Sequence, residues 1–127
     1  MVRGIRGAIT VEKNDAEEIV EAAGRLLSKM IERNEIEAES VAQILISVTD
    51  DLNAAFPAKA LRSLEGWMYV PVMCMQEIPV PNGLPHCIRV MMTVNTSVPQ
   101  ERIEHVYLED AVKLRPDLTL TNEQQRS

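Results

Sequence analysis

Two apolar stretches of the chain each carry a single charged residue, and these two residues are the first candidates for chemistry. The stretch VPVMCMQEIPV, residues 70–80, contains Glu77, and the stretch CIRVMMTV, residues 87–94, contains Arg89. Charged side chains are rarely buried unless they are paired or bound to something. Two interpretations follow: a structural ion pair between neighbouring strands, or an anion site built on the rigid, permanently charged guanidinium of Arg89.

The balance of charge favours the anion site. Alternation along residues 87–94 leaves apolar side chains on both faces, so we expect Arg89 to lie where water is scarce. Glu77 is the only carboxylate within the apolar strands, whereas several further cations stand in or beside apolar segments: Arg6, Lys59, Arg62 and Arg115. If Glu77 pairs with Arg89, the other cations still have no internal carboxylate to neutralise them. The sequence therefore indicates a site for a small polyanion.

The residues that usually carry catalysis are scarce. The sequence has no serine triad signature, no Gly-rich phosphate loop and no paired carboxylates within its strands. Its two cysteines, Cys74 and Cys87, are expected to be free thiols of a cytoplasmic protein, and His86 and His105 do not join them at zinc-ligand spacing. We therefore expect no metal, no cofactor, and a reaction that needs little from side-chain acids, bases or nucleophiles.

Length and charge exclude other classes. A chain of 127 residues is expected to form one domain, here residues 1–118, followed by a polar and mobile tail over residues 119–127. The net charge of −6 argues against nucleic acid as a partner, because that affinity depends on basic residues neutralising phosphates. No apolar run is long enough to span a membrane.

Hydrophobic periodicity predicts the element order β-α-β-α-β-β-α-β. The first helix is expected to begin at a capping box of Asp15 with Glu18 and to end at Asn34, which tolerates the left-handed conformation. Two shorter helices are predicted over residues 58–64 and 99–105. The predicted strands cover residues 2–11, 41–49, 68–74, 87–94 and 105–109.

These elements predict an α+β fold, a mixed β-sheet with helices on one face. Pro71 indicates that its strand is an edge or carries a bulge, because proline cannot donate to a ladder. The turn signal Asn82-Gly83 joins the strands that carry Glu77 and Arg89, so we expect these strands to be antiparallel neighbours. Too few helices remain for the second face, which therefore predicts an oligomer.

Five segments, in this order, make the chain resemble the monofunctional α/β chorismate mutases: IRGAITVE (5–12), FPAKALR (56–62), VPVMCMQE (70–77), CIRVMMTV (87–94) and HVYLEDAVKLRPDL (105–118). The resemblance implies a homotrimer that forms a pseudo-α/β barrel, with active sites at the subunit interfaces. It also implies rearrangement of chorismate to prephenate, an intramolecular pericyclic step without a covalent intermediate or proton transfer. That reaction suits a chain with no evident nucleophile or base.

The resemblance assigns the central roles by position. Arg89 is implied to face the breaking ether oxygen, and Arg6 to bind a substrate carboxylate. Tyr107 is implied to donate to a carboxylate, Glu77 to accept from the ring hydroxyl, and Cys74 to lie beside Glu77 at the ring. Because Cys74 and Glu77 would face opposite sides of a regular strand, this assignment predicts that the pleat breaks near residues 75–76.

Other contacts follow from the same resemblance. Phe56, Lys59 and Arg62 are implied to form the adjoining wall, supplied by the next subunit, and Arg115 belongs to a C-terminal segment that closes over the ligand. Met73 departs from the family, which has a smaller hydroxyl residue there. The remaining residues implied to bind substrate are Met73, Met75, Gln76 and Leu114.

Two alternatives stay open at this point. A deaminase of reactive enamines or imines on a similar trimeric fold would also use a strand arginine to hold a carboxylate. A trimeric sensor that binds an anionic metabolite would need no chemistry. The glutamate of CMQE and the FPAKALR segment favour the mutase over the deaminase.

Overall fold

Five strands form one mixed sheet in a computed structural model of the protein, which describes residues 1–114. In chain order, the strands are β1 (Val2–Thr10), β2 (Val41–Val48), β3 (Val72–Gln76), β4 (Cys87–Asn95) and β5 (Val106–Leu108). Their order across the sheet is β3-β2-β4-β1-β5. β4 runs antiparallel to β1 and β2, while each edge strand pairs in parallel with its neighbour. The predicted α+β class and mixed sheet are confirmed.

Helical structure comprises one long helix and several short segments. The long helix is α1 (Ala16–Asn34). The short segments are 3-10 helices: Ala38–Ser40, Pro57–Ser63, Gln100–Arg102 and Glu109–Leu114. The predicted short helices over residues 58–64 and 99–105 therefore exist as 3-10 helices, which are wound more tightly than an α-helix, and the second is reduced to Gln100–Arg102.

The ends of α1 lie where the sequence predicts them. Asp15 is the N-cap, and its side chain accepts a hydrogen bond from the Glu18 N–H at 3.0 Å. Glu18 Oε1 accepts the Glu12 N–H at 2.7 Å, so it reaches back beyond the N-cap. The helix ends at Asn34, but the left-handed residue is the next one, Glu35, with a φ of 51°.

α1 packs against one face of the sheet. Ile5 and Ile9 of β1 are fully buried beneath it, and Gly7 lies between them. A Cβ on Gly7 would stand 2.5 Å from Met30 Sδ, so the missing side chain lets the helix approach β1 closely. The residues that α1 buries recur at helical spacing: Ile19, Ala22, Ala23, Leu26, Leu27 and Met30.

Within residues 1–114, little covers the second face of the sheet. Met73 on β3 is 63% exposed and Met91 on β4 is 37% exposed, although both side chains are apolar. Cover on this face comes from Glu109–Leu114 at one end, where Ala111 packs with Ala8 and Cys87. The long helix is therefore on one face of the sheet, as predicted.

The predicted pairing of the two charged stretches is wrong. β3 pairs with β2, and β4 lies on the other side of β2, so β3 and β4 are antiparallel in direction but not neighbours. The connection over residues 77–86 is long enough to pass one strand, which a two-residue hairpin turn could not do. β3 is an edge strand that begins after Pro71, as the proline predicts.

Candidate active site

Arg89 is the third residue of β4, the central strand of the sheet. Its neighbours across the ladder are Ala8 on β1 and Ser47 on β2. The side chain is 45% exposed, so the expectation that Arg89 lies where water is scarce is wrong for the single chain. The reason is that the second face of the sheet, from which Arg89 projects, has little cover over its middle.

Glu77 meets Arg89 across the intervening strand. β3 ends at Gln76, and the Glu77 N–H still donates to the Val48 carbonyl at 2.8 Å. Glu77 Oε2 then lies 2.9 Å from Arg89 Nε, and the glutamate side chain is 23% exposed. The ion pair of the simpler interpretation therefore exists, but as a bridge over β2 and not between paired strands.

The predicted break in the pleat of β3 is wrong. The register runs without a shift from Ile44↔Val72 to Val48↔Gln76. Cys74 is consequently opposite Ile46 and packs against the main core under the helical layer. Met75, one residue on, is opposite Ser47 and shares the face of Arg89. Within one chain, Cys74 and Glu77 therefore lie on opposite faces.

A cavity of about 310 Å³ opens on the face of Arg89. It brings together five residues named by the sequence: Arg6, Met75, Arg89, Tyr107 and Leu114. Register explains this, because Arg6 is opposite Met91 and Tyr107 is opposite Ala8, next to Arg89. Sequence reasoning missed the rest of the lining: Gly7, Ala8, Leu45, Ser47, Val90 and Met91. Strand parity with Arg89 could have identified Met91 on the same strand, whereas Leu45 and Ser47 on β2 follow only from the register.

A second group of predicted residues gathers elsewhere. Phe56, Lys59, Arg62 and Cys74 line a cavity of about 690 Å³ beside Pro57–Ser63. Gln76 lines an adjacent cavity of about 480 Å³ with Phe56, Lys59, Cys74 and Met75. The single chain does not bring this group to the Arg89 cavity, although Met75 lines cavities of both groups.

One predicted residue stands apart from both groups, and another lies outside the described residues. Met73 is opposite Leu45 on β3, and its side chain is 63% exposed. Arg115 lies outside the described residues, as does the predicted tail at 119–127. Leu114, the last described residue, lines the Arg89 cavity.

A hydrogen-bonded cluster, called the knot below and formed by Thr49, Asp51 and His86, adjoins the Arg89–Glu77 pair and was not predicted from the sequence. Asp51 shares a cavity of about 550 Å³ with both residues. Its carboxylate accepts the Thr49 hydroxyl at 2.5 Å and the His86 N–H at 3.0 and 3.2 Å. Burial raises the pKa of Asp51, but these bonds and the His86 charge together lower that pKa below its usual value. The knot ties the end of β2 to the start of β4.

Comparisons with known proteins identify the family of the chain. The profile of the family described as "Chorismate mutase type I" matches residues 2–118. The chain belongs to the chorismate mutase type I family. "Chorismate mutase AroH" of Bacillus subtilis (strain 168) is 61% identical over 121 residues, 95% of each chain. "Chorismate mutase AroH" of Thermus thermophilus is 52% identical over 119 residues, 93% of this chain and 97% of the relative.

A solved structure of the same family supports the fold. The structure titled "Chorismate mutase from Clostridium thermocellum Cth-682" superposes with a TM-score of 0.84 at 49% identity. The match covers 87% of this chain and 97% of that one. The α+β fold of this type I chain is therefore that of a solved chorismate mutase.

The chemistry available in this type I chain is electrostatic. Arg6 and Arg89 supply two cations to one cavity, and Tyr107 supplies a hydroxyl. Burial raises the pKa of the Cys87 thiol to about 11, against the opposing effect of the nearby Arg89 charge, so this thiol stays protonated near neutral pH. Among residues 1–114, no three His, Cys, Asp or Glu side chains are placed to hold a metal ion, and no helix could cross a bilayer.

Proposed function

We propose that the protein catalyses the rearrangement of chorismate to prephenate, in a site built around Arg89 on the second face of the sheet. It would act as an isomerase of phenylalanine and tyrosine biosynthesis, without a cofactor. The observation that carries the proposal is the meeting of Arg6, Arg89 and Tyr107 at one cavity in a chain of the type I family.

The reaction matches what these side chains can do. Chorismate is a dicarboxylate that rearranges within one molecule, so the protein has to select a folded conformer and stabilise charge. Carbon–oxygen cleavage runs ahead of carbon–carbon formation, and the ether oxygen gains negative charge in the transition state. We assign Arg89 to that oxygen, because a fixed cation there stabilises the transition state more than the bound substrate.

The substrate carboxylates are assigned to the cation and hydroxyl on the neighbouring strands. Arg6 offers the bidentate fork that suits a carboxylate, and Tyr107 offers a phenolic donor. The two residues line the same cavity, because β1 and β5 are paired in parallel with Ala8 opposite Tyr107. Their task is binding and orientation, which is distinct from the charge stabilisation assigned to Arg89.

Glu77 is assigned to the ring hydroxyl. Its ion pair with Arg89 uses Oε2 and Nε, so the pair orients both side chains. A carboxylate has further acceptor positions, and we assign Oε1 to the hydroxyl of the substrate. The pair thus has a positioning role in the site, in addition to the structural role that a bridge across β2 provides.

We extend the proposal to a homotrimer that forms a pseudo-α/β barrel, with each site shared between two subunits. The uncovered face carries exposed apolar side chains, which is typical of an interface. Phe56, Lys59, Arg62 and Cys74 lie away from Arg89 within one chain, so an adjoining subunit is the natural source of that wall. Cys74 would then reach the ring from the neighbouring subunit, with no break in β3.

The C-terminal segment and the cellular compartment of the protein complete the proposal. Leu114, the last described residue, lines the cavity, and we assign a role in closing over the ligand to the C-terminal segment that contains Arg115. Cys74 and Cys87 are free thiols, which suits a cytoplasmic location.

The test is direct. Purified protein is added to chorismate, loss of the ultraviolet diene absorbance is followed, and the product is identified as prephenate by mass and chromatography. Analytical ultracentrifugation of the same sample gives the oligomeric state. Loss of chorismate without prephenate would indicate another reaction, and no loss with binding detectable by calorimetry would indicate the metabolite sensor. A monomer at assay concentration would overturn the shared site.

A further inference from the structure

The position of Tyr107 depends on an unusually short strand. β5 has only three residues, Val106–Leu108, and within residues 1–114 it lies at the edge of the sheet and pairs with β1 alone. Parallel edge pairing over three residues supplies few hydrogen bonds. Other contacts must therefore fix where β5 starts and how it aligns with β1.

Two side chains replace the ladder at the start of β5. Extending the register by one residue would pair Arg6 with His105 and would give the Arg6 N–H the Glu104 carbonyl as its acceptor. That carbonyl instead accepts Asn34 Nδ2 at 2.8 Å, while the Glu104 N–H donates to Asn34 Oδ1 at 2.9 Å. The Arg6 N–H donates to His105 Nδ1 at 2.9 Å. The imidazole thus takes the place of the missing backbone acceptor.

We propose that His105 is a positioning residue, which acts through the backbone of Arg6 to hold Arg6 and Tyr107 in alignment at the cavity. Because a backbone N–H is always a donor, the facing Nδ1 has to carry a lone pair, and the neutral ring then has its proton on Nε2. Asn34 supports the same arrangement by anchoring Glu104 to the end of α1. This inference rests on the proposed function for its kinetic consequence.

The kinetic consequence is specific to binding. His105 contacts the backbone of Arg6, and Arg6 and Tyr107 are assigned to a carboxylate that is present in both the bound substrate and the transition state. Misalignment of these two side chains is therefore expected to raise KM, with a smaller effect on kcat. A general loss of folding would lower the amount of active protein and would not change KM.

Three variants separate the two ring nitrogens. His105→Asn places an amide oxygen where Nδ1 stands, His105→Gln places its amide near the position of Nε2, and His105→Leu keeps volume without an acceptor. We expect KM to rise about tenfold in the Leu and Gln variants, the effect of one lost hydrogen bond, and to rise less in the Asn variant. Imidazole ¹⁵N shifts of the wild type should identify Nδ1 as unprotonated.

The outcomes distinguish a role of His105 in positioning Arg6 and Tyr107 from a purely structural role in folding. The proposal would be overturned if KM stayed at the wild-type value in all three variants. It would also be overturned if His105→Gln kept the wild-type KM while His105→Asn raised it. Hydrogen exchange of the Arg6 amide provides a readout that needs no substrate: we expect faster exchange in Leu and Gln than in Asn. If the wild type failed to convert chorismate, the proposed function would fall, while the exchange series would still show whether His105 holds β1 to β5.

Discussion

The two groups of cations differ in what fixes their positions. Arg6 and Arg89 project from β1 and β4, which are both paired on two sides within the sheet. Lys59 and Arg62 lie on the short segment Pro57–Ser63, next to Phe56, which is 69% exposed. Strand register sets the first group within one chain, whereas only assembly could bring the second group to it.

This difference predicts a division of labour. A transition state gains most from a charge that does not have to move, and a strand interior provides that for Arg89. A short 3-10 segment at an exposed surface is better suited to binding the substrate than to aiming charge at one atom. Substitution of Arg89 should therefore act mainly on kcat, whereas substitutions in the segment group should act mainly on KM, as is also expected for the carboxylate-binding Arg6.

The largest effect is expected at Arg89. Arg89→Lys should lower kcat by about 100- to 1000-fold, the range found when one aimed donor is removed from a developing anion. Lysine keeps the charge but not the planar fork. Steady-state kinetics measure this, with Arg25→Lys as the matched control, because Arg25 forms an exposed pair with Glu109 at 2.9 Å. An unchanged kcat in Arg89→Lys would mean that the electrostatic assignment is wrong.

A smaller effect is expected in the second group. Lys59→Ala should raise KM about tenfold with a modest change in kcat, since one charged hydrogen bond to the substrate is lost. Mixing the Arg89→Ala and Lys59→Ala variants, with exchange of subunits, sharpens the comparison. Mixed trimers would contain some sites with both groups intact, so activity should exceed the average of the separate variants. Strict averaging after proven exchange would place both groups in one subunit.

A third prediction concerns the knot that ties β2 to β4. The pKa of Asp51 is lowered in the folded protein, so its contribution to stability is present above the unfolded pKa of about 3.9 and is lost as pH falls through the folded value. Asp51→Asn should cost about 1 kcal/mol of unfolding free energy at pH 6, and this difference should shrink below about pH 4. Urea titrations across that range measure it. The exposed neighbour Asp50 provides the control Asp50→Asn, and a pH-independent difference would contradict the prediction.

The smallest effect is expected at Met73. Met73→Thr introduces the smaller hydroxyl residue that the family resemblance leads us to expect there, and one extra neutral hydrogen bond should lower KM by about two- to fivefold. Met73→Val, which has the shape of threonine without its hydroxyl, separates a polar contact from a change in size. Equal KM values for the two variants would show that Met73 stands outside the contact surface.

The sequence was sufficient for the order of the strands along the chain, for the long helix and for about half of the residues that line the Arg89 cavity, but it placed β3 at 68–74 and the structure has it at Val72–Gln76. Asp15 marked the start of α1 through its capping bond, and Pro71 marked an edge strand, because both act locally. The charged residues Arg6, Arg89 and Glu77 stood out because their neighbours are apolar. Features that depend on neighbouring residues can be predicted from the sequence without knowledge of the fold.

The pairing of the strands could not be predicted in the same way. Asn82-Gly83 predicted a reversal of the chain, but a turn does not determine which strand the returning chain pairs with. Here β4 pairs on the far side of β2 and not with β3. The break expected in β3 came from assigning Cys74 and Glu77 to one subunit's face, whereas the observed register is continuous. Ser47 and Met91 carry no signal of their own; they become site residues only once Arg89 is known to lie beside them.

The place of β4 in the sheet also governs the order in which the chain can fold. β4 separates β1 from β2, and its pairing joins Val2 to Asn95. A nascent chain that has not reached residue 95 can pair β2 with β3, but β1 has no complete partner. Folding must therefore wait for a late segment, and such non-local contacts make it slow. On the ribosome, β1 would therefore lack its complete antiparallel partner until residue 95 has been synthesised.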